Sequence, residues 1–139
     1  MFPINDTEPS RYSAFPIMTF SLILINTAIL FVFPPSRYGY YFEMVATVPA
    51  MVFARVSGGF LTGLTSMFLH GGFFHLFGNM FGLWVFGKRV EDACGPWRFL
   101  AFYLLVGYGS DLIYTLVNAE SNIPVVGASG AVFGVMGAY

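Results

Sequence analysis

The stretch "GFFHLFGNMFGLWVFG", residues 72–87, is a charge-free apolar run with the composition of a membrane-spanning helix. Two polar side chains interrupt it, His75 and Asn79. They are four residues apart, so a helix places them on one face. Polar groups inside an apolar span are costly to bury, and for that reason they often mark a functional site. The stretch therefore predicts a spanning helix with one polar face.

The composition of the whole chain agrees with a membrane protein. Of 139 residues, 57% are hydrophobic and 9% are charged, and the mean hydropathy is +0.72. Soluble domains carry about 25% charged residues, and a small domain buries only part of its apolar surface. The net charge is −1 and the six Lys and Arg residues form no patch, which excludes nucleic acid as a partner. The single cysteine, Cys94, excludes an internal disulfide.

The apolar runs predict an all-α, polytopic membrane helix bundle. Residues 1–13 form a polar N-terminal segment without the features of a cleaved signal, and residues 14–139 form the membrane domain. The predicted helices cover residues 14–33, 72–87, 99–117 and 127–139, and residues 34–71 form a first loop with interfacial helices. The last run is too short to cross the bilayer core. We therefore expect the chain to stop within its fourth helix.

The distribution of Lys and Arg predicts the orientation. A cytoplasmic N-terminus leaves two cations, Arg37 and Arg55, outside and puts four inside: Arg11, Lys88, Arg89 and Arg98. In this multi-pass topology the start of the fourth helix lies toward the outer face of the membrane.

The sequence "GASGAVFG", residues 127–134, has two interpretations. Its serine, Ser129, could belong to a seam of small residues. Gly78/Gly82 lie on the second predicted helix and Gly130/Gly134 on the fourth, and each pair would then let another helix approach closely. Ser129 could also be a nucleophile, although Ala131 departs from the G-x-S-x-G of soluble hydrolases. The two interpretations are compatible, because close approach of these helices would bring Ser129 to His75 and Asn79.

Such a group has a chemical use in peptide hydrolysis. Ser129 would attack the carbonyl, and its own N–H at a helix N-terminus would be one donor to the developing oxyanion. The His75 ring and the Asn79 amide would be further donors. These residues do not include a general base.

Other functions fit less well. The chain has no H-E-x-x-H motif and no carboxylate near its histidines, which disfavours a metal site, and nothing indicates a cofactor. A channel or transporter would need more intramembrane charge than the single Asp111 and an internal repeat. For Asp111 two interpretations stay open, a neutral acid bonded to a neighbour and a group facing a water-filled cavity.

Three segments together resemble the rhomboid family of intramembrane serine proteases: "LTSMFLHGGFFHLFGNMFGLWVFGKRVED", "RFLAFYLL" and "PVVGASGAVFGVMGAY". The resemblance covers residues 64–139. It implies a six-helix bundle in the lipid bilayer that cleaves transmembrane protein substrates with a Ser–His dyad. The implied roles are the nucleophile for Ser129, oxyanion stabilisation for His75 and Asn79, and supporting positions for His70, Gly127 and Gly130.

The chain also departs from the family pattern. The family's base is a histidine on the sixth helix, and both histidines of this chain match other positions. We therefore expect the 139 residues alone to be inactive. Leu61 and Thr62 stand where the family often has a Trp-Arg pair, which leaves the anchoring of the first loop open. The alternative function is that of a non-catalytic rhomboid-like protein that binds transmembrane clients.

Overall fold

The computed structural model describes residues 11, 15–37, 39, 42–54 and 58–139, and the regular structure of this part is helical. The predicted all-α fold is confirmed. The helices are α1 (Ile17–Val32), α2 (Phe42–Val45), α3 (Pro49–Ala54), α4 (Thr62–Ser66), α5 (Phe73–Gly82), α6 (Lys88–Cys94), α7 (Pro96–Val117) and α8 (Ser129–Ala138). Short 3₁₀ turns cover Pro35–Arg37 and Gly59–Leu61.

Some of the sequence predictions fall outside the described residues. They concern the polar N-terminal segment apart from Arg11, the first residue of the predicted helix 14–33, and Arg55 in the first loop. Within the described part, the loop contains the short helices α2, α3 and α4 and the two 3₁₀ turns.

The second long helix continues beyond the predicted end at residue 87. After α5 the chain makes one wider π-type turn, Leu83–Gly87, and runs on through α6 to Cys94. The charged residues that follow the apolar run remain part of the helix. Lys88 is one of them, and its ammonium lies 4.4 Å from the centre of the Trp84 ring, which attracts the cation. The helix ends at Gly95, whose φ of +89° is left-handed, and Pro96 then begins α7.

Glu91 on α6 ties this helix to the start of α1. Its side chain is buried, and its carboxylate accepts hydrogen bonds from the backbone N–H of Met18 at 2.9 Å and of Thr19 at 2.8 Å. The Thr19 hydroxyl donates a further bond at 2.7 Å. The first N–H groups of a helix have no partner within the helix, and here a carboxylate from another helix satisfies two of them. The N-terminus of α1 and the middle of α6 therefore lie at the same end of the molecule.

Glycines bring α7 and α8 together. A β-carbon at Gly130 would lie 2.5 Å from the Ser110 hydroxyl, and one at Gly134 would overlap the side chain of Val106. The Gly130/Gly134 pair thus faces α7. The alternation of small residues in α8 shows that a helix can approach, but not which one.

Helices α5 and α8 are in contact through Gly82 and Val132. Gly82 on α5 lies against Val132 on α8, where an added β-carbon would be 2.8 Å from Cγ1 of the valine. Gly78 has open space instead. This contact sets α5 beside α8 and carries the geometry of the site described below.

The outer surface of the bundle is apolar. Large side chains that are more than two-thirds exposed include Leu24, Phe31, Phe74, Leu105 and Val117, which is the arrangement expected where lipid takes the place of water. Among the described residues, α7 is long and apolar enough to cross a membrane, and α1 and α8 are shorter apolar helices.

Candidate active site

The site begins at the N-terminal half of α5. Gly71 and Gly72 lead into the helix, and His75 and Asn79 follow one turn apart on it. Asn79 is 7% exposed, whereas the His75 ring is exposed. The buried amide and the accessible imidazole therefore line one strip of the helix, one above the other.

The loop that precedes α8 is held by backbone hydrogen bonds to the first loop. The N–H of Val125 donates to the carbonyl of Thr47 at 2.7 Å, and the N–H of Gly127 donates to the carbonyl of Ser66 at 2.9 Å. Gly127 has a φ of +112°, a conformation that side chains rarely tolerate. This turn aims the chain into α8, whose first residue is Ser129.

The turn at Gly127 packs directly on the polar strip of α5. A β-carbon at position 127 would lie 2.7 Å from Nε2 of His75 and 3.4 Å from Nδ2 of Asn79. Only glycine allows this approach. The structure thus brings together His75, Asn79 and a backbone segment two residues before Ser129.

The Asn79 amide nitrogen is buried and has no hydrogen-bond partner among the described residues. Buried donors in folded proteins are nearly always satisfied. The Asn79 amide next to Gly127 therefore holds a donor that is unused in the described part of the chain.

His70 lies behind His75. It is fully buried, and the two imidazole rings are 5.2 Å apart and nearly perpendicular. Burial, and to a smaller extent the proximity of His75, lower the pKa of His70 to about 4. This buried ring packs edge-on against the His75 side chain.

A metal would need more ligands than this pair of histidines offers. Within the described ranges, no three His, Cys, Asp or Glu side chains lie close enough to hold an ion.

The sequence did not indicate two residues that help to form the site, Thr47 and Ser66. Their backbone carbonyls hold the loop before Ser129, and because every residue has a backbone carbonyl, such a contact cannot be inferred from the type of side chain. The position of Gly130 is different from that of Gly127, since it packs on α7 and not on the histidines.

The fold and the site define an all-helical membrane protein with a serine, a histidine and an asparagine on adjoining helices. The family model for the rhomboid domain matches residues 57–139, and the chain belongs to the rhomboid family. No solved structure matches it.

Three relatives illustrate the range of the family. RHOMBOID-like protein 5 of Arabidopsis thaliana is 41% identical over 75 residues, 54% of this chain and 24% of that protein. YdcA of Bacillus subtilis (strain 168), provisionally named a rhomboid protease, is 32% identical over the whole chain and 68% of its own length. Inactive RHOMBOID-like protein 8 of Arabidopsis thaliana is 40% identical over 75 residues, 54% of this chain and 21% of that protein. The chain thus spans about a fifth to a quarter of the length of these plant relatives, and the family includes a member named as inactive.

Proposed function

We propose that the chain carries the nucleophile and the oxyanion site of an intramembrane serine endopeptidase that cleaves transmembrane protein substrates. The observation that carries the proposal is the packing of Gly127 against His75 and Asn79. It holds two side-chain donors beside the turn that leads into Ser129.

In the proposed reaction, the Ser129 hydroxyl attacks the carbonyl carbon of the scissile peptide bond. The carbonyl oxygen becomes an oxyanion, and three N–H groups stabilise it: the backbone N–H of Ser129, a ring N–H of His75 and the Asn79 amide. The start of α8 adds the positive end of a helix dipole. The unused Asn79 donor supports this role, because it would find its acceptor only when charge develops.

The proposal needs a general base to take the proton of Ser129. Both histidines of the chain are assigned elsewhere, His75 as an oxyanion donor and His70 as a support. The resemblance to the family implies that the base is a histidine outside these 139 residues. Without it the serine hydroxyl is a weak nucleophile.

We further propose a cytoplasmic N-terminus and an active site toward the outer face. Arg11 lies near Asp92, so the cations Arg11, Lys88, Arg89 and Arg98 gather at the end of the bundle where α1 begins. The loop before Ser129 follows the opposite end of α7. This separation supports the orientation that the distribution of positive charge predicts.

The test is covalent labelling with a fluorophosphonate. The protein to be labelled is the full-length protein, which contains the general base. We expect the wild type to label and Ser129→Ala not to label. Ser110→Ala is the matched control, since Ser110 packs beside Gly130 but has no proposed role, and it should label as the wild type does. Cleavage of a transmembrane substrate should follow the same pattern: the wild type and Ser110→Ala should cleave it, and Ser129→Ala should not. The 139-residue chain alone should not label.

If the full-length wild type folds and binds a transmembrane client but neither labels nor cleaves it, the protein is a non-catalytic binder, as the existence of inactive relatives allows.

A further inference from the structure

A buried carboxylate lies in the middle of α7, close to the first loop. Asp111 is 9% exposed, and within the described ranges no Lys or Arg forms an ion pair with it. Its Oδ2 accepts a hydrogen bond from the Thr47 hydroxyl at 3.1 Å, and its Oδ1 accepts one from the Ser66 hydroxyl at 3.4 Å. Burying an acid in an apolar helix costs free energy, which suggests that Asp111 has a specific role in the protein.

The carboxylate belongs to a compact cluster of hydroxyl groups. The oxygen of the Thr47 hydroxyl lies 3.3 Å from those of both Thr62 and Ser66. Gly63 makes room for the acid, because a β-carbon there would be 2.8 Å from Oδ2 of Asp111. The cluster therefore fixes α4 and the segment around Thr47 to α7.

The same two residues that bind the carboxylate through their side chains hold the loop before Ser129 through their backbones. The Thr47 carbonyl accepts from Val125, and the Ser66 carbonyl accepts from Gly127. A continuous chain of short contacts thus runs from the carboxylate to the turn that touches His75 and Asn79.

We propose that Asp111 is a positioning residue for the active-site loop: by binding the hydroxyls of Thr47 and Ser66, it fixes the two carbonyls that hold Val125 and Gly127. This is the anchor of the first loop that the sequence left open at Leu61 and Thr62. The inference about the loop does not depend on Ser129 being a nucleophile. Only its consequence for the reaction rests on the proposed function.

Hydrogen exchange resolved to single amides tests the inference on the chain in lipid nanodiscs. Asp111→Leu removes both acceptors, and we expect the amides of Val125 and Gly127 to exchange about tenfold faster. The amides of residues 99–106 on α7 should keep their wild-type rates.

Two further variants separate positioning from general stability. Asp111→Asn keeps one oxygen that accepts from Thr47, so both amides should stay within about threefold of the wild type. Thr115→Val is the matched control on the same helix. The Thr115 hydroxyl is buried one turn beyond Asp111 and has no hydrogen-bond partner in the described part of the chain, so its loss should leave both amides unchanged.

The inference is overturned if Asp111→Leu leaves Val125 and Gly127 at wild-type rates, or if it accelerates the α7 amides equally. It is also overturned if Thr115→Val has the same effect as Asp111→Leu. Should Asp111→Leu not fold, the double variant Thr47→Val/Ser66→Ala decides by the same criterion, because it removes the two hydroxyls and keeps the acid and both carbonyls.

A second measurement connects the anchor to the reaction. In the full-length protein, Asp111→Leu should reduce the rate of fluorophosphonate labelling at Ser129 at least tenfold, and Asp111→Asn should restore most of it. If the wild type itself does not label, the proposed protease function fails while the exchange rates still decide the role of Asp111. Labelling of Asp111→Leu at the wild-type rate contradicts the positioning role.

Discussion

Gly127 and His75 are in such close contact that a β-carbon at position 127 would lie 2.6 Å from Cε1 of the histidine. Contacts this short do not occur between real side chains, so any residue other than glycine must displace the ring or the turn. Because the turn leads directly into Ser129, a displacement there alters the geometry of the proposed nucleophile and of one oxyanion donor together.

Gly127→Ala should therefore abolish most of the labelling of Ser129 in the full-length protein. The alanine has to adopt a left-handed φ, at a cost of about 1–2 kcal/mol, and it also pushes against His75. We expect at least a hundredfold slower reaction with fluorophosphonate, since misplacement by about 1 Å is enough for such a loss.

Gly59→Ala is the control that separates these two effects. Gly59 also has a positive φ, +63°, but a β-carbon there meets open space. Both variants should lose stability in thermal unfolding, Gly127→Ala more because of its additional clash with His75, and only Gly127→Ala should lose labelling. Equal loss of labelling in both would mean that backbone strain, and not the contact with His75, is responsible.

A second prediction concerns the buried carboxylate of Glu91. It accepts three hydrogen bonds from the start of α1, and in Glu91→Gln an amide NH₂ would face donors on at least one side. We expect the free energy of unfolding to fall by about 2–4 kcal/mol, measured by denaturant titration in micelles.

Thr19→Val provides an intermediate case, because it removes only the hydroxyl bond and should cost about 1 kcal/mol. Glu120→Gln is the matched control on an exposed carboxylate and should change stability by less than about 0.5 kcal/mol. A Glu91→Gln protein as stable as Glu120→Gln would show that Glu91 does not stabilise the contact between α1 and α6.

Part of the candidate site could be predicted from the sequence because its polar side chains are close together along the chain. His75 and Asn79 are one helical turn apart, so their common face follows from the helix itself. The apolar runs likewise predict the long helices, since few other structures satisfy a backbone within lipid.

The partners across the fold could not be predicted in the same way. Periodicity shows which face of a helix is small or polar, but not which neighbour it meets, and so Gly134 packs on Val106 of α7 rather than on α5. The bond between Asp111 and Thr47 joins residues 64 positions apart. The continuation of α5 through the charged residues to Cys94 depends on Glu91 finding the N-terminus of α1, which no local pattern indicates.

The contact between Gly134 and Val106 yields a third prediction. A β-carbon at position 134 would overlap the branched side chain of Val106, which has little freedom to move within a helix. Gly134→Ala should separate α7 and α8 and lower the free energy of unfolding by about 1–3 kcal/mol.

Gly137→Ala is the control on the same helix, because a β-carbon there has nothing within 4 Å. Alanine is favoured over glycine in a helix by about 1 kcal/mol, so this variant should be as stable as the wild type or more stable. If the two variants have the same midpoint of denaturant unfolding, the close approach of α7 and α8 at Gly134 does not contribute to stability.

The fourth prediction is a pH dependence that originates at His70. Burial is the main cause and the neighbouring His75 the second cause that lower the pKa of this ring from its ordinary value of 6.5 to about 4 in the folded chain. Between these two values the unfolded chain binds a proton that the folded chain does not. The contribution of neutral His70 to stability is therefore complete above about pH 6.5 and decreases as the pH falls toward 4.

Thermal unfolding between pH 7.5 and pH 4.5 tests this. The wild type should lose more stability over this range than His70→Gln, which has no proton to bind at that position, and the difference between the two curves should grow steadily below pH 6.5. Carboxylates titrate equally in both proteins and cancel in the difference. If the stabilities of the two proteins change with pH in parallel, His70 has an ordinary pKa in the folded chain. The conclusion that a buried, neutral His70 packs against His75 would then be wrong.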